Sequence, residues 1–194
     1  MEGGRAIRSA IEGFRSLGIP FLVGGSFASS AWGIPRYTQD LDLSVQISES
    51  QVDAILATFG ADFMVSREEI HTALFESSPY RSFQLLHFDE VFKVDVFIVQ
   101  DTPFARSEYA RAVELEVFPG VLAPTASAED TILRKLDWFR LGNRVSDRQW
   151  NDVCQVVFAR GENLDVAYLR RWAEELGLLD LLEEALRQVG PIDG

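Results

Sequence analysis

Ala6, Ile7, Ala10, Ile11, Phe14 and Leu17 recur at intervals of three and four. That spacing puts one apolar stripe on a helix, so the opening segment is predicted to be amphipathic. Gly18 and Pro20 then end it, since neither continues a helix readily. Phe21-Leu22-Val23 reads as a short buried strand running into Gly24-Gly25-Ser26. Ser26 to Trp32 can form one or two helical turns before Gly33 and Pro35 break them. From Leu41 to Ile47 the period changes to two: Leu41, Leu43, Val45 and Ile47 share one face, Asp42, Ser44 and Gln46 the other. Ser48 with Gln51 makes a capping box for a helix running to Phe59, and a further helix is expected over Glu68 to Phe75.

Ser82 to Phe88 and Val91 to Val99 predict two strands of a hairpin joined by Asp89-Glu90. A short helix (Ala105 to Arg111), a strand (Val113 to Phe118) and a turn at Pro119-Gly120 follow. Beyond Ser127 the periodicity is helical to the end, with Ser127 and Asp130 as a cap signature and apolar faces led by Ile132, Leu133 and Leu136. Trp150, Val153, Cys154, Val157 and Phe158 line another helix, and Leu169 to Leu176 and Leu178 to Val189 supply two more. The expected fold is α/β (α+β): a core over residues 1–125 with a mixed sheet of about five strands flanked by helices, then a helical region, 126–194, packed on that core.

Composition sharpens this picture in three places. At 194 residues the chain suits one domain with a modest appendage and buries roughly 70% of its unfolded surface, enough to need no disulfide. Cys154 is the only cysteine, so it reads as a core thiol in a reducing compartment. No apolar run reaches the ~20 residues of a membrane span, and Glu2, Arg5, Arg8, Glu12 and Arg15 give the first twenty residues a charge pattern unlike a signal peptide. The expectation is a cytoplasmic protein with no membrane partner. The net charge of −12 repels a phosphate backbone, so extended duplex DNA is not an expected partner. A nucleotide that arrives with Mg²⁺ is different, because the metal brings its own positive charge.

The candidate chemistry lies in the acids. Asp40 and Asp42 are two apart at a strand start, so both carboxylates emerge on one face. Two carboxylates ~4 Å apart repel by roughly 4 kcal/mol at an effective dielectric near 20, which a cation or a proton must relieve. Mg²⁺ takes oxygen ligands, commonly one or two carboxylates plus substrate phosphates. Asp95 interrupts the apolar run Phe92 to Val99 and would be costly there without a partner. If its strand lies beside that of Asp40 and Asp42, the three acids meet. Gly24-Gly25-Ser26, between a strand and a helix, lets the backbone approach a phosphate at a positive helix N-terminus. Taken alone, an Asp-x-Asp is most often a pair of solvated acids and a Gly-Gly-Ser turn only a turn; it is the combination that is specific.

Phe21-Leu22-Val23-Gly24-Gly25-Ser26, Arg36-Tyr37-Thr38-Gln39-Asp40-Leu41-Asp42-Leu43 and Lys93-Val94-Asp95-Val96 together resemble the nucleotidyltransferase superfamily with the DNA polymerase β-like fold. The Arg-x-Thr-x-Asp-Leu-Asp segment, with Lys135 on one later helix and Asp152 on another, looks most like the AbiEii-type toxins of toxin–antitoxin systems. The resemblance covers roughly residues 20–155. It implies a nucleotidyltransferase fold, an NTP substrate and two Mg²⁺ ions. Asp40, Asp42 and Asp95 would be the catalytic metal ligands, with Asp95 also helping to activate the attacking hydroxyl. Gly24, Gly25, Ser26, Arg36, Thr38 and Lys135 would bind nucleotide; for Arg36 and Lys135 the plainer reading is a surface cation. Asp152 is expected to be structural, paired with a nearby arginine.

The implied reaction is in-line transfer of a nucleoside monophosphate from an NTP to a hydroxyl on RNA, protein or a small molecule, in a toxin with a partner antitoxin protein. Two alternatives stay open: an antibiotic (aminoglycoside-type) nucleotidyltransferase, which the acidic charge permits, and a catalytically degenerate protein that binds nucleotide or a partner. His71 and His87 lack metal-ligand spacing, which sets zinc hydrolysis aside. Trp138, Trp150 and Trp172 fall on apolar helix faces, leaving Trp32 as the tryptophan placed to meet a base.

Overall fold

The computed structural model describes residues 3–78 and 81–190. These fall into two compact units, one comprising the chain through Ser26 together with Tyr37–Thr125, the other Phe27–Arg36 together with the chain from Ala126 onward.

In the first unit the strict alternation of the sequence becomes a seven-stranded mixed sheet, in the order β3-β4-β5-β2-β1-β7-β6 among the described residues. Its strands are β1 (Phe21–Val23), β2 (Asp40–Val45), β3 (Phe63–Met64), β4 (Ser82–His87), β5 (Lys93–Ile98), β6 (Val113–Phe118) and β7 (Val121–Thr125). At the centre, β2 runs parallel to β5 and antiparallel to β1. The expected sheet of about five strands is therefore too small. β3 has only two residues, too few to show a period, and β7 contains Pro124, whose missing N–H argues against a strand when read from sequence.

Leu41, Leu43, Val45, Val94, Val96 and Leu85 are fully buried on the core side of β2, β5 and β4. Against that core pack α1 (Gly4–Ser16) and α3 (Val52–Phe59), the latter preceded by a single 3-10 turn that Ser48 and Gln51 cap reciprocally. The Phe14 ring lies 4.9 Å from Phe59 and 6.1 Å from Phe21 between centroids. A Cβ on Gly13 would stand 2.3 Å from the Phe59 ring, so only glycine lets the two helices close to this distance. The remaining helices of the unit are α4 (Arg67–Phe75) and α5 (Pro103–Ala110), the second tied to β2 by the Tyr109 hydroxyl, which donates to the Ser44 carbonyl at 2.9 Å.

The second unit takes most of α2 (Gly25–Trp32) and the helices α6 (Ala128–Leu141), α7 (Asp147–Arg160), α8 (Val166–Glu175) and α9 (Leu179–Val189). Ser127 caps α6, accepting from the Asp130 N–H at 3.1 Å. Asp130 has no exposed surface; its carboxylate accepts from the Ser127 hydroxyl at 2.8 Å and the Tyr168 hydroxyl at 2.6 Å. Those hydrogen bonds offset the cost of burying it. Trp172 is buried, as the helical periodicity indicated, and half-buried Trp150 packs at a tilt against Phe139 with centroids 5.2 Å apart. Among the described residues no helix is long and apolar enough to cross a membrane.

Phe14→Ala is expected to cost about 3–5 kcal/mol, the usual range for emptying an aromatic core site. Urea unfolding of the variant against wild type measures it.

Candidate active site

Alternation along β2 and β5 fixes the site. With Leu41, Leu43, Val94 and Val96 turned into the core, Asp40, Asp42, Lys93 and Asp95 share the opposite, half-buried face. The parallel register places Asp40 beside Lys93 and Asp42 beside Asp95. Adjacent strands lie about 4.8 Å apart, so Asp42 and Asp95 are immediate neighbours. On the other side of β5, Gln84 of β4 stands opposite Asp95, and its amide donates to Asp95 Oδ1 at 2.7 Å. Asp40 is oriented by the Thr38 hydroxyl, which donates to Asp40 Oδ1 at 2.6 Å.

The glycine turn meets the same acids. Gly24 N–H donates to the Asp42 carbonyl at 2.9 Å, which fastens the turn to β2. Gly25 has φ +53, and a Cβ there would lie 1.7 Å from Asp42 Oδ2. No side chain fits that space. Asp42 Oδ2 also accepts from the Ser26 N–H, at 3.4 Å, so its carboxylate occupies the positive N-terminus of α2. The turn expected to hold a phosphate holds an anion of the protein itself.

A lysine supplies the counter-charge. The Lys93 ammonium donates to Asp95 Oδ2 and lies 4.0 Å from Asp40 Oδ2. Partial burial would lower its pKa, but the Asp95 hydrogen bond and the negative charges of Asp95, Asp40 and Asp42 outweigh that and hold it above the ordinary lysine value. Lys93 is therefore a cation at neutral pH. The structure brings Asp40, Asp42 and Asp95 to one face, but among the described residues no three Asp, Glu, His or Cys side chains are gathered as a metal-ligand set. Donor chemistry and strand order suit a divalent cation; the ammonium is what the carboxylates close upon.

In the second unit Arg36, Lys135 and Asp152 converge. Asp152 Oδ2 accepts from Lys135 Nζ at 2.7 Å and from Arg36 at 3.1 Å, and Arg36 Nε reaches Asp152 Oδ1 at 3.3 Å. The Ser29 hydroxyl donates to the same carboxylate at 3.4 Å. Burial alone would raise the Asp152 pKa; the hydrogen bonds from Arg36 and Lys135 and the charges of both overcome this and hold it below the ordinary aspartate value. The expected pairing of Asp152 with an arginine is present, and Lys135 joins it. Trp32, the one tryptophan left as a candidate for a base, is engaged within this unit: its Nε1–H donates to the Ala126 carbonyl at 2.7 Å and the Arg160 guanidinium lies 5.3 Å from its ring centroid.

The family model described as nucleotidyl transferase AbiEii toxin, type IV toxin–antitoxin system, matches residues 12–189. The chain belongs to the AbiEii nucleotidyltransferase family. No curated protein matches the sequence. Among solved structures, the antibiotic-resistance factor ANT(2'')-Ia is similar, with a TM-score of 0.55 at 15% identity over 95% of this chain and 99% of that one. The lincosamide antibiotic adenylyltransferase LnuA gives 0.51 at 11% identity over 79% and 95%. An antigenic nucleotidyltransferase-like protein from Paracoccidioides brasiliensis gives 0.51 at 17% over 94% and 91%. These likenesses show the nucleotidyltransferase fold, and family membership makes the chain a nucleotidyltransferase of AbiEii type.

Two residues that bond Asp95, Lys93 and Gln84, were not singled out in the sequence. Lys93 lies in the Lys-Val-Asp-Val run, and its spacing from Asp95, two residues along one strand, could have marked it. Gln84 gives no such sign, because only the β4–β5 register reveals it.

Gly25→Ala is expected to lower the melting temperature and displace Asp42, since the new methyl meets both a carboxylate and an unfavourable φ; thermal melts and the Asp42 carboxylate resonance report the two effects. Asp152→Asn leaves two cations without their carboxylate in a largely buried place. It should cost about 3 kcal/mol at pH 7. The sign with pH follows from the lowered folded-state pKa: wild-type stability from this group is complete above the unfolded pKa and is lost as pH falls through the folded one. Urea midpoints between pH 6 and pH 3 should therefore fall more steeply for wild type than for Asp152→Asn.

Proposed function

We propose that this AbiEii-type protein transfers a nucleoside monophosphate from an NTP to an acceptor hydroxyl in a Mg²⁺-dependent reaction, acting as the toxin of a toxin–antitoxin pair. The observation that carries the reading is the parallel register of β2 and β5, which sets Asp42 and Asp95 side by side with Asp40 on the same face, against the Gly25 turn. Asp40, Asp42 and Asp95 would hold the metal. When bound, Mg²⁺ supplies positive charge to the triphosphate and to the oxygens that gain charge in the transition state. Gly24, Gly25 and Ser26 are proposed to contact phosphate oxygens; the Gly24 and Ser26 N–H groups are held by Asp42 in this structure, so the Ser26 N–H would exchange Asp42 Oδ2 for phosphate. Thr38 keeps Asp40 in its rotamer.

Asp95, fixed by Gln84, is the base nearest to hand for the acceptor proton. The acceptor oxygen forms its bond to the α-phosphorus as the bond to the bridging oxygen breaks, and pyrophosphate leaves with that electron pair. Arg36 and Lys135 are proposed as phosphate-binding cations, kept in fixed rotamers by Asp152. The reading includes a cytoplasmic location and a protein antitoxin as partner. For the acceptor, RNA, protein and small molecules remain in one class here, a nucleophilic hydroxyl.

A second acceptor class is favoured by one observation. The net charge of −12 draws polycations, so an aminoglycoside-type antibiotic suits an acidic surface. Protection of a sensitive host from the drug would select this acceptor, whereas growth arrest on expression would select the toxin.

Isothermal titration with each of the four NTPs, with and without Mg²⁺, tests the shared chemistry. Wild type should bind one or more NTPs only with Mg²⁺, and Asp42→Asn should lose that binding by at least tenfold, the effect of removing one charged ligand. Binding unchanged in Asp42→Asn would remove the acids from the site. No binding to any NTP would leave a degenerate protein that serves a partner.

A further inference from the structure

We infer that Lys93 is a built-in counter-ion: its ammonium holds Asp40 and Asp95 together in the metal-free protein and must be displaced for a divalent cation to enter. The inference rests on the reading of Asp40, Asp42 and Asp95 as metal ligands, and deepens it by naming what competes with the metal. Its ground is geometric. Lys93 begins β5 directly beside Asp40, its ammonium donates to Asp95 and lies 4.0 Å from Asp40, and Asp42 is the register partner of Asp95. A cation already sits between the Asp95 and Asp40 carboxylates.

The chain's own chemistry makes that occupancy reversible. The Lys93 side chain is 40% exposed, against 14% for Asp95 and 28% for Asp40. The ammonium can therefore swing to solvent on its flexible stem while the carboxylates stay. Asp95 keeps the Gln84 amide, Asp40 the Thr38 hydroxyl and Asp42 the Ser26 N–H when Lys93 departs. A point charge of +1 relieves the repulsion among three acids only in part, and a divalent ion relieves more of it. Lys93 thus lowers affinity for the free ion while keeping the site formed without it.

The test uses Mn²⁺ as the probe, with free ion read by electron paramagnetic resonance, on the full chain. Lys93→Met and Lys93→Gln should each bind Mn²⁺ about tenfold more tightly than wild type, because one competing charge is gone. Lys93→Arg, which keeps the charge, should stay weak. In EDTA the two neutral variants should melt below wild type and recover on adding Mn²⁺. Equal or weaker Mn²⁺ binding by both neutral variants, with binding in wild type lost in Asp42→Asn, would overturn the role of Lys93 and leave the metal site standing. No Mn²⁺ binding by wild type or either neutral variant would overturn both.

Discussion

Like charge held close is the constraint on which the first unit is organised. Asp40 and Asp42 share a strand face, and the parallel pairing with β5 brings Asp95 alongside Asp42. At separations of about 4 Å such carboxylates repel by several kcal/mol even at an intermediate dielectric. Four neighbours answer that repulsion. Thr38, Ser26 and Gln84 each give a hydrogen bond to one of the acids, and Lys93 gives charge. The apolar face beneath cannot yield, since Leu41, Leu43, Val94 and Val96 have no exposed surface. The core thus bears the cost of keeping the acids together on one face.

The second unit solves the opposite problem by the same means. There two cations, Arg36 and Lys135, share one carboxylate, Asp152, with the Ser29 hydroxyl completing its shell. Lys135 has only 7% of its side chain exposed, and an ammonium so placed requires a partner. Lys135 and Asp152 come from α6 and α7, whereas Arg36 follows α2. Residues 27–36 therefore matter beyond joining two strands: they carry Ser29 and Arg36 to the Asp152 carboxylate.

How much of this was legible follows from the reach of each signal. Helices announced themselves where an apolar stripe met a stop or a cap, as in α1 with Gly18 and Pro20 and in α6 with Ser127. β2 was legible because its period of two ran unbroken, and so was the shared face of Asp40 and Asp42. β3 and β7 were not, one too short for any period and the other broken by Pro124. Asp95 could be suspected from the cost of an acid in an apolar strand, but its meeting with Asp42 depended on which strands are neighbours, and local pattern does not encode that. Gly25 was read as room for a phosphate; the space its missing side chain leaves is occupied by Asp42. Family resemblance named Asp40, Asp42 and Asp95 together while leaving open what each touches.

Register explains why these few residues suffice. Sliding β5 by one residue would turn Lys93 and Asp95 into the core and bring Val94 and Val96 out, which burial forbids. A slip of two keeps the faces but moves Asp95 beside Ser44 or Asp40, so that Asp42 loses its acidic neighbour. The observed register is held from both sides: β2 pairs with β5 along all six residues from Asp40↔Lys93 to Val45↔Ile98, and β4 pairs with β5 from Ser82↔Phe97 to Leu86↔Lys93. Gln84 reaches Asp95 only in that alignment. The chemistry of the site is therefore a property of strand pairing as much as of residue type, and an Asp-x-Asp gains its meaning here from the Lys-x-Asp beside it.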